Sequence, residues 1–361
     1  MRQLSRLNFD WFLAIIPVIL ITLGIVIIYS ITYTTGPKLT ILQSIYAFVG
    51  LGLVVVFSLT DYRIFKGLSG ILYVFGILLL ILVLFLGTKT FGARRWIDFG
   101  VFQLQPSEIF KLILIIVLAK FFSDKEEIRI KDYLYILILI GIPIFLVLSQ
   151  PDFGTATIFL IITGGILIGS NIKKIYLWIS AGAALLAIPL VWHFLKDYQK
   201  LRIYTFLNPA RDPFGAGYNV LQSTIAVGSG GIFGRGLGHG PQSQLNFLPV
   251  AHTDFIFAGV AESIGFVGAS LLILIIIILV IRIIRVASLS KDSFGRFMAI
   301  GIAIMIIFQV FINIGMNLGI MPVTGIPLPF LSFGGSSLLT NLIAIGILQS
   351  IYIRHKKISF E

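Results

Sequence analysis

Long runs of apolar residues recur along this chain, and they constrain its fold more than any other feature of the sequence. A transmembrane helix needs about 20 apolar residues, because each residue adds about 1.5 Å across roughly 30 Å of hydrocarbon. The candidate spans are 11–32, 39–60, 65–87, 107–123, 133–150, 155–170, 174–194, 254–281, 295–320 and 330–353. The sequence therefore predicts an all-α polytopic membrane protein with about ten transmembrane helices.

The composition agrees with burial in lipid. Of the 361 residues, 58% are hydrophobic and only 12% are charged, which is too thin a charged shell for a water-soluble domain. The formal net charge of +12 would suggest a nucleic-acid partner in a soluble protein. Here the basic residues flank apolar runs, so membrane topology and anionic lipid explain them better, and we expect no nucleic-acid partner. The chain contains no cysteine, which excludes disulfides and thiol chemistry.

The distribution of Lys and Arg between loops predicts the orientation, because cytoplasmic loops carry an excess of basic residues. With the N-terminus in the cytoplasm, the basic residues inside are Arg2, Arg6, Arg63, Lys66, Lys125, Arg129, Lys131, Lys173, Lys174, Arg282, Arg285, Lys291, Arg296, Arg354, Lys356 and Lys357. The short outer loops then hold only Lys38, Lys89, Arg94 and Arg95. Both termini are therefore predicted to be cytoplasmic. The first span is too long for a signal-peptide core and is predicted to be retained.

Three segments fall on the extracytoplasmic side: 88–106, 321–329 and the long segment 195–253 between the seventh and eighth spans. Residues 325–337, GIPLPFLSFGGSS, mix Pro, Gly and Ser with apolar residues. Irregular backbone cannot face lipid, so this stretch is predicted to be a re-entrant loop buried in protein. No internal repeat is evident, and we predict one membrane domain covering residues 1–361.

Asp254 opens the eighth span directly after the long outer segment. A charge at the mouth of a span is costly, so this residue is a functional candidate. The alternative is a helix N-cap, in which the carboxylate accepts backbone N–H bonds. His252 and Thr253 add polar groups beside an otherwise apolar run and favour the functional interpretation. Glu262, about two turns deeper, is either a further site residue or a buried hydrogen-bonding carboxylate.

Glu108 and Lys111 lie three residues apart where the fourth span begins. That spacing places both side chains on one helix face, so an ion pair within the helix is one explanation. The other is that Lys111 faces a cavity and meets an anionic substrate. Ser107 is a candidate N-cap after Pro106.

Other charged residues are predicted to lie at the outer face: Arg94, Arg95, Asp152, Arg202, Arg211 and Arg235. Arg235 belongs to the glycine-rich stretch GSGGIFGRGLGHG. Such a loop can cradle phosphate through backbone N–H groups. No strand–helix unit follows it, however, and flexibility alone would also explain the glycines. The histidines His193, His239, His252 and His355 lack the spacing of metal ligands.

Several stretches, in the same order along the chain, resemble the SEDS family (shape, elongation, division and sporulation). They are ARRWIDFG, QLQPSEIFKL, QPDFGTA, NPARDPFGAGYNVLQSTIAVGSGG, GRGLGHGPQSQLNFLPVAHTDFIFAGVAES and IPLPFLSFGGSS. Together with the ten spans they cover nearly the whole chain. The family comprises membrane peptidoglycan glycosyltransferases that include RodA and FtsW. The QSQLNFLP stretch and the short termini are more similar to RodA, the elongation member.

The resemblance implies a reaction on the outer face of the bacterial cytoplasmic membrane. Family members join lipid II, a lipid-linked disaccharide-peptide, into glycan strands. They displace undecaprenyl pyrophosphate from the anomeric carbon with inversion. Such a displacement needs a base for the attacking hydroxyl. It needs no acid for the pyrophosphate, which positive charge or a divalent metal ion stabilises.

The resemblance also implies roles for individual residues. Asp254 matches the essential aspartate of the family and is therefore expected to be the catalytic base or a ligand of a divalent cation, Mg or Mn. Glu108 and Lys111 match a family pair in the central cavity. The other residues expected to bind substrate are Arg94, Arg95, Arg202, Arg211, Arg235, His252, Thr253, Asp152 and Glu262. Two positions depart from the family: Val250 stands where Glu is common, and Ser263 where a second acid often follows.

The resemblance implies a class B penicillin-binding protein as partner, a transpeptidase that cross-links the glycan strands. It also implies other membrane proteins of the elongation complex as partners. Spans 254–281 and 295–320 are candidates for the interface, although every span is apolar.

Two other functions fit ten spans and a charged cavity. A flippase for the lipid-linked precursor would be supported by inverted repeats with broken helices, and none is evident. A non-catalytic scaffold is disfavoured by the polar residues around AHTDF.

Overall fold

The structure is a computed structural model that describes residues 9–33, 36–90, 93–100, 102–125, 128–170, 175–176, 178–179, 182, 197–208, 216–245, 247–248 and 250–355. Its elements in chain order are α1 (Trp11–Ile31), α2 (Lys38–Leu59), α3 (Ile64–Leu86), β1 (Thr88–Thr90), β2 (Ala93–Asp98), β3 (Gln103–Leu104), α4 (Pro106–Ser123), α5 (Ile130–Ser149), α6 (Phe153–Gly169), α7 (Asp197–Leu207), α8 (Ala216–Ser229), α9 (Pro241–Gln244), α10 (Ile256–Leu289), α11 (Ser293–Asn317) and α12 (Gly335–Ile353).

Helices α1–α6 and α10–α12 coincide with nine of the ten predicted spans. Seven described helices, α1, α2, α3, α5, α10, α11 and α12, are long and apolar enough to cross a bilayer. Helix α6 is apolar but has only 17 residues, and α4 carries Glu108, Lys111 and Lys120 yet is mostly buried among other helices. The predicted span 174–194 lies largely outside the described residues. The prediction of a polytopic helical membrane protein is confirmed.

The outer segments contain elements that the sequence did not predict. Segment 88–106 includes a small antiparallel sheet in the order β1-β2-β3, in which Thr88 pairs with Trp96 and Ile97 with Leu104. The long segment includes α7, α8 and α9, and α8 packs against α10 and α11. Strands of two to six residues are too short to show a clear period in the sequence.

Small residues let the helices approach closely. A Cβ atom at Gly301 of α11 would lie 2.8 Å from the Ile115 side chain of α4 and 3.0 Å from the Ile166 side chain of α6. A Cβ atom at Gly346 of α12 would lie 3.0 Å from the Val54 carbonyl oxygen of α2. Lipid tails are as apolar as Leu, so association of membrane helices depends on this kind of close packing.

Polar contacts tie helices together where α1, α3 and α11 begin. Asp10 caps α1 by accepting the Leu13 N–H at 3.1 Å, and it pairs with Arg282 at 2.9 Å. The Tyr62 hydroxyl donates to Asp292 at 2.6 Å, and burial together with this bond raises the pKa of Tyr62. This end of the bundle carries the basic loops, so it faces the cytoplasm, and the sheet and α7–α9 lie on the outer side.

Residues 325–334 form a buried irregular segment, which we call the re-entrant loop. It ends before the predicted 337, because α12 begins at Gly335. Leu328, Phe330 and Leu331 are almost fully buried. Gly24 of α1 lies beneath the loop, and a Cβ atom there would approach the Leu331 carbonyl oxygen at 2.6 Å. Helix α1 can therefore support the loop only because position 24 has no side chain.

We expect Gly24→Ala to lower the melting temperature of the purified protein in detergent. The added methyl must displace the backbone of the re-entrant loop, and that cost exceeds the roughly 0.5–1 kcal/mol by which Ala favours a helix over Gly. Gly52→Ala on α2 is the matched control, because no atom lies within 4 Å of its Cβ position. The control should gain stability. Equal stabilisation of both variants would show that the Gly24 contact is unimportant.

Candidate active site

Asp254 lies in the turn that precedes α10, at the outer end of the bundle. The N-cap of α10 is Phe255, and no side-chain hydrogen bond caps that end of the helix. The Asp254 carboxylate is therefore not engaged in the N-cap bonds that were the alternative explanation for its position. Its side chain is only partly buried, so a molecule at the outer face can reach it.

Two buried amides of α11 hold the backbone beside this carboxylate. Asn313 and Asn317 each donate a side-chain N–H to the Asp254 carbonyl oxygen, at 2.9 Å and 3.0 Å. Asn317 also accepts the Ala258 N–H at 3.0 Å, and Asn313 also donates to the Ile326 carbonyl at 2.8 Å. Neither residue is among the site residues predicted from the sequence. Their signal was present, because polar side chains inside an apolar span are functional candidates.

Three charged side chains, those of Arg202, Arg95 and Asp152, interact with the Asp254 carboxyl group. Burial raises the pKa of Asp254 to about 6, although the positive charges of Arg202 and Arg95 lower it; the negative charge of Asp152 adds to the increase. The structure thus brings together four residues that were predicted from separate motifs. A carboxyl group with a pKa near neutrality is suited to take up a proton at working pH.

Arg95 and Asp152 form a supporting pair at this site. Their charged groups approach to 3.8 Å, and the Arg95 guanidinium also donates to the backbone carbonyls of Gln150 and Pro151. Asp152 caps α6, because it accepts the Thr155 backbone N–H at 3.2 Å and the Thr155 hydroxyl at 2.8 Å. The carboxylate of Asp152 therefore caps α6 and holds Arg95 in place, and its negative charge also raises the pKa of Asp254.

The other arginines that were predicted to bind substrate lie in different parts of the structure. Arg202 lies on α7 and donates to the Val323 carbonyl at 3.2 Å, next to the re-entrant loop. Arg94 is exposed and donates to the Leu84 carbonyl at 3.2 Å, near the end of α3. A direct role of Arg94 in the site is therefore not supported. Arg211 lies outside the described residues.

His252 and Thr253 bind the re-entrant loop through their backbone. The His252 carbonyl accepts the Phe333 N–H at 2.9 Å, and the Thr253 carbonyl accepts the Ser332 hydroxyl at 2.6 Å. The His252 ring contacts the Phe333 ring edge-to-face, and burial lowers the pKa of His252, which favours the neutral imidazole. Both residues therefore help to fix the position of Asp254.

Val250 occupies a strained backbone position in the same turn. Its φ of 54° is left-handed, a region that β-branched residues rarely adopt, and its side chain is 38% exposed. This is the position at which the family resemblance leads one to expect Glu. The side chain faces solvent beside the Asp254 turn, so the substitution removes a carboxylate from the rim of the site.

Glu108 and Lys111 form the ion pair that their spacing predicted. The Lys111 Nζ atom lies 2.6 Å from Glu108 Oε2, and both side chains are almost completely buried. Gln105, which precedes α4, donates to Ser107 at 3.2 Å and to Asp152 at 3.3 Å, and so connects the start of α4 to the Asp254 cluster. Substrate contact by the pair stays a prediction.

The structure does not support substrate binding by Glu262 or Arg235. Glu262 is fully buried, and its carboxylate accepts the backbone N–H groups of Gln242 and Ser243 and the Ser243 hydroxyl. The Arg235 side chain donates to the Ser229 carbonyl at 2.9 Å. In the glycine-rich stretch, the backbone N–H groups of Gly231, Gly234, Arg235, Gly236 and His239 bond carbonyl groups within the protein, so these five are not available to a phosphate.

The described residues contain no group of three or more His, Cys, Asp or Glu side chains that would hold a metal ion. Mg²⁺ is often bound through one or two carboxylates together with phosphate groups of a substrate. Asp254 fits that mode as a single carboxylate donor. A divalent cation at this site would therefore depend on phosphate oxygens and water for most of its ligands.

The Glu108–Lys111 pair provides a test of stability. Lys111→Met leaves a buried carboxylate without its partner, so we expect a loss of about 3–5 kcal/mol in the free energy of unfolding. The double variant Glu108→Gln, Lys111→Met removes the uncompensated charge and should recover most of that loss. Thermal unfolding in detergent measures both effects. Lys125→Met is the control, because its ion pair with Asp132 lies at the solvent-exposed surface and should contribute little to stability. A double variant as unstable as the single one would contradict this account.

Comparison with known proteins places this geometry in a family. The cell cycle protein family of FtsW, RodA and SpoVE matches residues 10–357. Peptidoglycan glycosyltransferase MrdB of Escherichia coli K12 is 38% identical over 350 residues, which cover 95% of both chains. The crystal structure of the rod shape determining protein RodA of Thermus thermophilus has a TM-score of 0.74 at 30% identity, covering 98% of this chain and 100% of that one.

A second solved structure is also similar to this chain over nearly its full length. A chain from a peptidoglycan synthase complex that coordinates polymerization and crosslinking has a TM-score of 0.82 at 32% identity, covering 97% of this chain and 99% of that one. Both the family match and the relatives extend over nearly the full length. The chain therefore belongs to the FtsW/RodA/SpoVE family of cell cycle proteins.

Proposed function

We propose that this chain is a peptidoglycan glycosyltransferase that polymerises lipid II during cell elongation. It is a multi-pass protein of the bacterial cytoplasmic membrane, and its similarity to MrdB and to RodA supports the elongation role. The observation that carries the proposal is the partly buried Asp254 at the extracytoplasmic end of the bundle, within the fields of Arg95 and Arg202. A base beside two cations is the arrangement that transfer from a sugar pyrophosphate requires.

In the proposed reaction, Asp254 accepts the proton of the 4-hydroxyl of the acceptor N-acetylglucosamine. The hydroxyl oxygen attacks the anomeric carbon of the donor and forms the new glycosidic bond. The bond from that carbon to the pyrophosphate oxygen breaks, and undecaprenyl pyrophosphate leaves as an anion. Attack opposite the leaving group inverts the configuration, so no covalent enzyme intermediate is needed.

The arginines would stabilise the departing pyrophosphate. Arg95 is held by two backbone carbonyls and by Asp152, and Arg202 is held by the Val323 carbonyl, so both guanidinium groups are preorganised. Preorganised charges stabilise a transition state without reorganisation at the moment of reaction. When bound, Mg or Mn would supply further positive charge for the pyrophosphate. Coordination of that cation is the alternative role of Asp254, in place of its role as the base. We propose that the Glu108–Lys111 pair contacts the same lipid-linked substrate.

The proposed partner is a class B penicillin-binding protein, alongside other membrane proteins of the elongation complex. An apolar groove of about 360 Å³ between α10 and α11 supports docking of a membrane helix. Its lining includes Ile273, Ile277, Ile307, Val310, Phe311 and Ile314. These two helices cover the spans 254–281 and 295–320 that were the candidates for the interface. The similarity to a chain of a peptidoglycan synthase complex supports assembly with a cross-linking enzyme.

We expect Asp254→Asn to abolish polymerisation of purified lipid II, because the amide cannot accept the hydroxyl proton, while the melting temperature stays unchanged. The measurement is glycan formation from lipid II by the purified chain. It is made with and without the partner protein, and with and without a metal chelator. Asp98→Asn is the matched control, an exposed outer-face aspartate that bonds Gly100 and Gln103 within the sheet region. Its activity should remain.

Full activity of Asp254→Asn would contradict the assignment of the base. The rival functions have distinct outcomes in liposomes. Translocation of lipid II without glycan product would indicate a flippase. Neither product nor translocation by the wild-type chain in the presence of its partner would indicate a scaffold.

The pH dependence should follow Asp254. Only the ionised carboxylate is a base, so the rate should fall as pH drops below about 6. Arg202→Gln removes a positive charge that lowers the pKa of Asp254, so the acidic limb of the kcat/KM profile, which reports the free enzyme, should move to higher pH. Arg235→Gln is the control, because the Arg235 side chain bonds the Ser229 carbonyl and is not among the charges that shift the pKa of Asp254. Its acidic limb should not move. An unmoved limb in Arg202→Gln would contradict this account.

A further inference from the structure

Helix α10 is broken inside the membrane domain at Gly265. The backbone angles there are φ 68° and ψ −167°, a conformation open to glycine and rarely adopted by other residues. A Cβ atom at Gly265 would contact the Gly234 nitrogen and lie 2.5 Å from the Ile232 carbonyl oxygen. The break divides α10 into an outer half-helix, residues 256–264, and an inner helix, residues 266–289. Asp254 directly precedes the outer half-helix.

The glycine-rich segment 230–236 replaces the hydrogen bonds that the helix loses at this break. Phe266 and Val267 donate their N–H groups to Gly231 and Ile232, at 2.9 Å and 3.1 Å. In the other direction, the carbonyls of Glu262 and Ser263 accept the N–H groups of Arg235 and Gly236, at 2.9 Å and 3.0 Å. Backbone groups buried in a membrane protein need such partners, so segment and break stabilise each other.

The Glu262 side chain also binds α9, the short helix that precedes the Asp254 turn in the sequence. Its carboxylate oxygens accept the Gln242 and Ser243 N–H groups at 2.9 Å and 3.2 Å, together with the Ser243 hydroxyl. These donors belong to α9, which precedes the turn that carries Asp254. A Cβ atom at Gly240 would contact the Glu262 carboxyl group, so α9 lies directly against it.

The opposite end of the outer half-helix is held as well. Asn317 bonds both the Asp254 carbonyl and the Ala258 N–H. Glu262 lies eight residues after Asp254 and is the charged residue at the other end of this short unit. The half-helix is therefore fixed by α11 at one end and by α9 with the glycine-rich segment at the other.

We propose that Glu262 is a positioning residue for the glycosyl transfer. By binding α9 it fixes both the outer half-helix and the turn before it, and so sets the place of the Asp254 carboxylate. Glu262 itself touches no reacting group, since it is fully buried beneath α9. This inference rests on the proposed function. The break at Gly265 allows the half-helix to take the orientation that α9 imposes, independently of the inner part of α10.

The test is Glu262→Gln, which places an N–H₂ donor against backbone donors and so disrupts the contact with α9. We expect kcat for lipid II polymerisation to fall by about 10- to 100-fold, as misplacement of a catalytic group by about 1 Å does, while KM changes less than about twofold. Glu262→Asp keeps both acceptor oxygens and should recover part of the loss. Ser243→Ala removes one donor only and should lower kcat more mildly, which keeps the test available where Glu262→Gln does not fold.

Asp10→Asn is the matched control, because Asp10 is also a buried carboxylate that caps a helix and lies at the cytoplasmic end. It should lower the melting temperature and leave kcat per folded molecule unchanged. Wild-type kcat in folded Glu262→Gln or in Ser243→Ala, or an equal kcat loss in Asp10→Asn, would overturn the positioning role. Failure of the wild-type chain to polymerise lipid II would instead overturn the proposed function.

Discussion

Hydrocarbon offers no partner for backbone N–H and C=O groups, and the rest of this structure depends on that constraint. Where the chain is helical, the helix satisfies these groups. Around the site the chain leaves the helical conformation, and side-chain amides take over the role. Gln43 of α2 bonds both Ser332 and Gly334 of the re-entrant loop, and Asn313 of α11 bonds Asp254. The irregular backbone that presents the site is therefore held by polar residues on long apolar helices.

This constraint also separates what the sequence predicts from what it does not. Apolar spans are local features, so nine of them could be located to within a few residues, except that α10 extends to Leu289. The re-entrant loop was also predictable, because Pro, Gly and Ser interrupt an apolar stretch. The bonds that hold it join residues far apart, such as Gln43 and Ser332, separated by 289 positions. No local pattern encodes such pairs, since packing of the helices decides which amide meets which carbonyl.

Arg94 and Arg95 show that prediction from local sequence also fails for neighbouring residues of one motif. The sequence suggested that both would bind substrate, because they are adjacent at the outer face. They lie on β2, and neighbouring side chains of a strand point to opposite faces. Arg95 consequently meets Asp152, whereas Arg94 bonds the Leu84 carbonyl of α3. Without the strand, which is too short to predict, the two arginines are indistinguishable.

The way the arginines are held explains how Asp254, the proposed base, keeps a raised pKa beside positive charge. A carboxylate in a close ion pair with arginine has a lowered pKa and is a weak base. Here Arg95 pairs with Asp152, and Arg202 donates to the Val323 carbonyl, while the pKa of Asp254 stays raised at about 6. Asp152 thus has two effects, because it holds Arg95 in place and offsets part of its charge at Asp254. In the proposed reaction, the same two guanidinium groups stabilise the anionic leaving group. Proton acceptance and anion stabilisation, which oppose each other in a simple ion pair, are compatible in this arrangement.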